Sequence, residues 1–324
     1  MTKAPAKPDT RARSTPEAAA DLVARMRAGE RRALARAVTE LERLSVAAPL
    51  LLQAMQPYLG HALVVGFTGP PGAGKSTLVD AVTRCLRMAG RNVGIIAVDP
   101  SSPISGGAIL GDRIRMTSTL EDDGVYMRSL ASRGHLGGLS PAAVRVIDAL
   151  DAAGKDVVLV ETVGTGQSEI DVAEVTDVSV VVTAPGLGDD IQAMKSGLLE
   201  IADVLVVNKA DREGAERTAQ QLKGALSIRP RERAEVPVLK ATALTGEGVP
   251  ALVAAVEAAG ARRLAEPALD RRRRRARFLI ARAAADAIAA RIKADPQGHL
   301  SRLADAVLKG ELTPDAAAAR LLKG

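Results

Sequence analysis

Aromatic side chains are nearly missing from this chain: two Phe, two Tyr and no Trp among 324 residues. Proteins that hold single-stranded nucleic acid stack its bases on aromatics. The surplus of 44 Lys and Arg over 38 Asp and Glu therefore lacks the side chains that would make nucleic acid its natural ligand. Cysteine occurs once, at Cys85, and histidine three times, at His61, His135 and His299. One thiol closes no disulfide, and so few soft donors do not supply the ligand clusters of a metal-storing or metal-inserting protein. No run of eighteen apolar residues occurs, so no membrane-spanning helix is expected. The first residues lack the apolar segment of a secretory signal, and a cytoplasmic protein is expected. Residues 1–14 read as a disordered basic tail.

What the chain has is apolar content, 47% hydrophobic, enough for one large folded core with accessories. Its most informative stretch is ALVVGFTGPPGAGKSTLVDAVTRCLRM, residues 62–88. The apolar run 62–67 reads as a buried strand. Leu78, Val79, Val82, Cys85 and Leu86 recur at helical spacing. Between them Gly69, Pro70, Pro71, Gly72, Ala73, Gly74, Lys75 and Ser76 fit G-x-x-x-x-G-K-[ST]. Glycines there let backbone N–H groups wrap a phosphate, and the following helix N-terminus, with Thr77 in its first turn, adds positive potential. Lys75 reaches β- and γ-phosphate oxygens, and the Ser76 hydroxyl is placed to ligate Mg²⁺. A nucleoside triphosphate site follows.

Residues 16–58 carry no β signal and read as three helices, an N-terminal extension over 15–60. From 62 to 243 strand-like and helix-like segments alternate, the mark of an α/β doubly wound, mainly parallel sheet in a nucleotide-binding domain expected over 61–266. Strands are expected near 62–67, 93–98, 125–129, 157–161, 178–183, 204–208 and 236–241. Asp99 closes the second, so its carboxylate should emerge at the C-terminal sheet edge, where ligands bind. Asp112 lies in a long Gly, Ser and Pro-rich stretch; the residues alone read it equally as a solvated loop carboxylate. The fourth strand ends in Glu161, where an acidic residue can orient Mg²⁺, and Gly164 follows, whose N–H can sense a γ-phosphate. Thr165 stands where many GTPases place glutamine, leaving Gln167 as the candidate for positioning the attacking water. After the sixth strand comes VVNKAD. In it Asn208, Lys209 and Asp211 form N-K-x-D, and the Asp211 carboxylate can accept from both the ring N–H and the amino group of guanine. Two such charge-assisted bonds, at about 1.5–3 kcal/mol each, favour guanine over adenine by roughly a hundredfold or more. Thr242, Ala243 and Leu244 then supply the loop whose Ala243 N–H could meet the guanine oxygen. Beyond Pro267 the chain is helical to its end, and residues 267–324 suit a dimerisation arm. The arginine run 271–275 reads as a solvated helical face.

Taken together, GFTGPPGAGKSTLVD, VDPSSPISGGAILGDRIRM, RSLASRGHLGGLS, VETVGTGQSE, PGLGDDIQAMKSG, VVNKAD and ALTGEG make the chain resemble the MeaB/ArgK family of P-loop GTPases, the G-protein chaperones of adenosylcobalamin-dependent acyl-CoA mutases. The resemblance implies GTP hydrolysis with Mg²⁺ and a homodimer joined through C-terminal helices. It also implies a mutase partner, methylmalonyl-CoA mutase above all, whose cofactor loading the GTPase gates and which it protects. It places Asp99 and Asp112 in the Mg²⁺ and switch I region, residues 161–167 in switch II, and residues 185–195 in a further switch facing the mutase. A D-x-H-x-x-G corrinoid motif is missing, so cobalamin is not expected to bind this chain alone. Other readings are an ATP-using kinase linked to basic amino-acid transport, which N-K-x-D opposes, a metal-insertion GTPase, which the scarcity of Cys and His opposes, and an RNA-binding scaffold using the arginine run. A family relative often carries tryptophan after that run; this chain has none.

Overall fold

A computed structural model describes residues 15–99, 121–131, 139–162, 168–187, 197–227, 236–294 and 298–323. They divide into two compact units, Met1–Arg275 and Ala276–Gly324. The first holds seven strands: β1 Leu63–Thr68, β2 Val93–Asp99, β3 Val125–Ala131, β4 Val157–Thr162, β5 Val178–Thr183, β6 Val204–Val207 and β7 Val238–Lys240. All pair in parallel in the order β3-β2-β4-β1-β5-β6-β7. Every strand expected from the sequence is present. Since β1 lies between β4 and β5, the chain reverses its direction of winding there, and the crevice beyond the C-terminal end of β1 is where such a sheet receives ligands.

The helices are α1 Pro16–Arg27, α2 Arg31–Arg43, α3 Ala48–Met55, α4 Lys75–Met88, α5 Pro141–Ala152, α6 Ser168–Val175, the single turn α7 Leu198–Ile201, α8 Ala215–Ser227 and α9 Val249–Leu264. After these come α10 Ala268–Ala294, α11 His299–Leu308 and α12 Pro314–Lys323. The N-terminal helices form for local reasons. The Thr15 hydroxyl accepts from the Ala18 N–H and Pro16 occupies the first turn of α1, both start signals. Ala33, Leu34, Ala37, Val38 and Leu41 form the buried stripe of α2, which packs on α5. Arg128 of β3 bonds Glu42 of α2, and Asp151 at the end of α5 accepts from the N–H groups of Gly60, His61 and Ala62 at 2.5, 3.1 and 2.9 Å. The extension is thereby fixed to the sheet beside the entry to β1.

Side chains alternate across each strand, and the two faces differ. Leu63, Val65 and Phe67 of β1, Leu159 of β4 and Val178, Val180 and Val182 of β5 join Leu78 and Val82 of α4 and Leu252 and Val256 of α9 in one buried aliphatic cluster. Each fully buried side chain of this kind contributes about 1.5–3 kcal/mol. On the opposite face the intervening positions include Gly66, Thr68, Thr162, Ser179 and Thr183, all buried or nearly so.

The arginine run departs from the solvated face expected of it. Arg271 and Arg275 are buried, both against Asp177 at the start of β5. Four residues apart, they share one side of α10, and only the intervening residues face outward in part. The second unit comprises the remainder of α10 with α11 and α12, and within it Ile280, Ile288, Leu300 and Leu308 are exposed.

Candidate functional site

The phosphate loop begins where β1 ends, and its backbone is decided by close approach. Gly69 has φ +135°, and a Cβ there would sit 2.0 Å from the Val182 carbonyl oxygen of β5; Gly74, at φ +83°, would place one 2.6 Å from the Asn208 amide nitrogen. A side chain at either point would push the loop off its neighbours. Lys75 and Ser76 open α4, both buried. The Lys75 ammonium donates to the carbonyls of Gly69 and Pro70 at 2.7 and 3.0 Å, which holds it over the loop that its charge is to serve. Pro70, Pro71, Gly72 and Ala73 complete the curve between β1 and α4.

The Ser76 hydroxyl donates to Glu161 Oε1 at 2.6 Å. Glu161 is the penultimate residue of β4, in register with Phe67 of β1 and Ala97 of β2, so parallel pairing alone brings this carboxylate beside the first turn of α4. A hydroxyl and a carboxylate at this contact fit Mg²⁺, a hard cation that takes few protein oxygens and keeps the rest of its shell for water and phosphate. Asp99 ends β2 at the same sheet edge. Asp112, Gly164, Thr165 and Gln167 lie outside the described residues, as do His135, Asp189 and Lys195.

Beyond the phosphate loop lies a cavity of about 130 Å³. Gly74 and Thr77 line it from the phosphate side, with Asn208, Lys209 and Asp211 after β6 and Thr242, Ala243 and Leu244 after β7. Asn208, 1% exposed, joins these loops. Its amide nitrogen donates to the Ala73 and Gly74 carbonyls at 2.9 and 3.3 Å, and its oxygen accepts from the Ala243 N–H at 3.2 Å. Lys209 takes φ +56° and its ammonium reaches the Gly72 carbonyl at 2.6 Å, so the lysine stem lies along the cavity wall. The Ala243 amide, expected at the guanine oxygen, thus already serves Asn208, and a base would share it. Arg212 also lines the cavity; the sequence reading passed over it, and its place directly after N-K-A-D is the signal that could have found it.

Phosphate loop, carboxylate at the end of β4 and base cavity therefore meet along one sheet edge, which suits a guanine nucleotide laid across β1, β5 and β6. Comparison with known proteins agrees with this arrangement. The chain is 49% identical over 233 residues to a putative GTPase of Pyrococcus horikoshii, covering 71% of this chain and 74% of that one. It is 39% identical over 317 residues to a probable GTPase of Mycobacterium tuberculosis, covering 93% and 94%. Among solved structures, that of the LAO/AO transport system kinase superposes with a TM-score of 0.75 at 28% identity, covering 95% of this chain and 98% of that one. Residues 34–297 match the family model described as methylmalonyl-CoA mutase-associated GTPase MeaB, and the chain belongs to that family of P-loop GTPases.

Proposed function

We propose that this protein is a GTP-hydrolysing chaperone that binds an adenosylcobalamin-dependent acyl-CoA mutase, methylmalonyl-CoA mutase in the first instance, and uses its nucleotide state to gate cofactor loading. The observation that carries the nucleotide half is Asn208, whose side chain ties the phosphate loop to both base loops. The family's own description carries the partner.

The chain's residues divide the work. Backbone N–H groups from Gly69 to Thr77 and the Lys75 ammonium bind the β- and γ-phosphates, and Lys75 offsets the charge that builds as the terminal phosphoryl transfers. Ser76 and Glu161, with Asp99 and Asp112, would hold Mg²⁺, which supplies charge neutralisation between the phosphates. Gly164 senses the γ-phosphate and Gln167 orients the attacking water. Asp211 selects guanine, with Thr242, Ala243 and Leu244 closing the base site. Residues 185–195 report to the mutase. In a homodimer the exposed Ile280, Ile288, Leu300 and Leu308 of the second unit would find partners; unpartnered apolar residues of this size mark association surfaces when they gather in one patch.

The test is GTP and ATP turnover by the full chain with Mg²⁺, with and without purified methylmalonyl-CoA mutase. GTP should be hydrolysed slowly alone, on the order of 10⁻⁴ to 10⁻² per second as for GTPases without an assured arginine finger, and faster with the mutase. Asp211→Asn should shift preference towards xanthosine triphosphate. Equal use of ATP and GTP would favour the kinase reading, and turnover indifferent to the mutase would remove the chaperone.

A further inference from the structure

A purine is held by contacts along its edge and by groups that cover its two flat faces. Protein sites commonly cover the faces of a base with aromatic rings. This chain has four such rings, Tyr58, Phe67, Tyr126 and Phe278, and among the described residues none of them lines the base cavity. Phe67 is fully buried in the aliphatic cluster under α4. Tyr126 belongs to β3, at the opposite edge of the sheet from the loops after β6 and β7. Tyr58 is covered by Arg27, whose guanidinium lies 3.8 Å from the ring centroid. A base seated against Asp211 is therefore covered by side chains of another kind.

One of them is Lys209, whose stem runs along the cavity wall to the Gly72 carbonyl. The chain then turns back on itself: the Arg212 N–H donates to the Lys209 carbonyl at 3.0 Å, with Ala210 and Asp211 at the tip of the turn. The ends of such a turn lie within about 7 Å of each other. A flat ring contacted on both faces needs covering groups about 7–8 Å apart, twice the ordinary carbon contact distance. This turn thus carries the acceptor for the base edge at its tip and a long cationic side chain at each end. Arg212 lines the same cavity and is exposed. Among the described residues no hydrogen bond or ion pair engages its guanidinium, whereas Arg84, Arg87 and Arg128 are each tied to a carboxylate. A guanidinium is planar and weakly hydrated, and it stacks on ring faces as an ammonium does not. Leu244 also lines the cavity, 83% exposed, but a branched aliphatic chain offers a base no matching plane.

We propose that the Arg212 guanidinium covers the second face of the bound guanine, opposite the Lys209 stem, in the role that an aromatic ring fills in other base sites. The contact holds the base without reading it, since every base has a π-face. Asp211 reads the edge. The inference rests on the guanine-nucleotide reading of this cavity.

The experiment measures GDP binding by calorimetry and KM for GTP on the full chain with Mg²⁺, for wild type, Arg212→Ala, Arg212→Lys, Arg212→Trp and Leu244→Ala, with thermal melts to confirm that each variant is folded. Arg212→Ala should raise Kd for GDP and KM for GTP together, by about tenfold, and leave the ratio of GDP to xanthosine diphosphate affinity at its wild-type value. Arg212→Lys keeps the charge but not the plane and should bind as weakly as Arg212→Ala. Arg212→Trp loses the charge but keeps a plane and should return to within about threefold of wild type. The chain has no Trp of its own, so the new indole is the only one present, and GDP should quench its fluorescence. Leu244→Ala should cost less than Arg212→Ala. Wild-type affinity in Arg212→Ala or Arg212→Lys, affinity in Arg212→Trp as low as in Arg212→Ala, or a larger loss in Leu244→Ala would each overturn the proposal. Equal binding of ADP and GDP by the wild type would instead strike the guanine reading, before any variant is compared.

Discussion

The two faces of the central sheet differ in how many hydroxyls they carry among their aliphatic side chains. Towards α4 and α9 the sheet presents Val, Leu, Ile and Phe side chains in one continuous cluster. Towards α6 it presents a glycine with Thr and Ser interspersed among the buried Val64, Val158, Val160 and Val181. Both faces are buried, so exposure to water does not explain the difference. The first carries α4, which Lys75 and Ser76 open, and α9, into which the loop of Thr242, Ala243 and Leu244 leads, while the loop of Asn208 and Asp211 leads into α8 on the other face. The second carries the helix that follows residues 161–167. A packed aliphatic interior tolerates little displacement, while single hydroxyl hydrogen bonds, worth about 0.5–1.5 kcal/mol net, are exchanged at small cost.

The comparison is sharpened first on the α4 face. Lys75→Ala removes the cation over the phosphate loop and should reduce GTP turnover by about 10²–10³-fold or more, the scale for losing a donor aimed at transition-state charge. A variant that stays folded by circular dichroism and hydrolyses GTP normally would show that α4 does not carry the reaction.

Stability separates the faces next. Leu78→Ala, in the aliphatic cluster, should cost about 2–5 kcal/mol in urea unfolding. Thr183→Val should cost nothing or stabilise by about 1 kcal/mol, because the Thr183 hydroxyl is buried without a hydrogen-bond partner among the described residues and an unsatisfied polar group is itself a cost. Equal destabilisation by the two would dissolve the distinction drawn above.

A further expected effect depends on pH. Asp148 of α5 lies on the α6 side of the sheet; burial pushes its carboxyl up to about 6 against the ordinary 3.8, opposed by the nearby charges of Arg275, Arg272 and Arg145. The folded protein therefore holds this proton between pH 3.8 and about 6 while the unfolded chain releases it, so stability falls as pH rises through that window. Asp148→Asn should equal wild type below the window and exceed it above, by no more than about 3 kcal/mol. Thermal melts at pH 3.5 and 7.5 decide it, and a variant less stable at pH 7.5 would mean that the Asp148 charge is favourable where it stands.

The sequence by itself determined the parts whose chemistry is written in adjacent residues. G-P-P-G-A-G-K-S must be a turn between strand and helix because its glycines permit what a Cβ forbids, and N-K-A-D must bring its carboxylate to a sheet edge because the apolar run before it is a buried strand. Glu161 was legible for the same reason, as the last residue of such a run. Tertiary structure alone decided what those segments touch. Asn208 reads as one letter of a motif, yet its bonds to Ala73, Gly74 and Ala243 span more than a hundred positions on one side and about thirty-five on the other. Arg271 and Arg275 read as solvated charge, since composition cannot say that a buried carboxylate, Asp177, lies 98 positions before Arg275. Local patterns fix backbone conformation through sterics and periodicity. The pairing of charges and hydroxyls follows from which distant strands the fold sets side by side, and single-chain spacing holds no record of that.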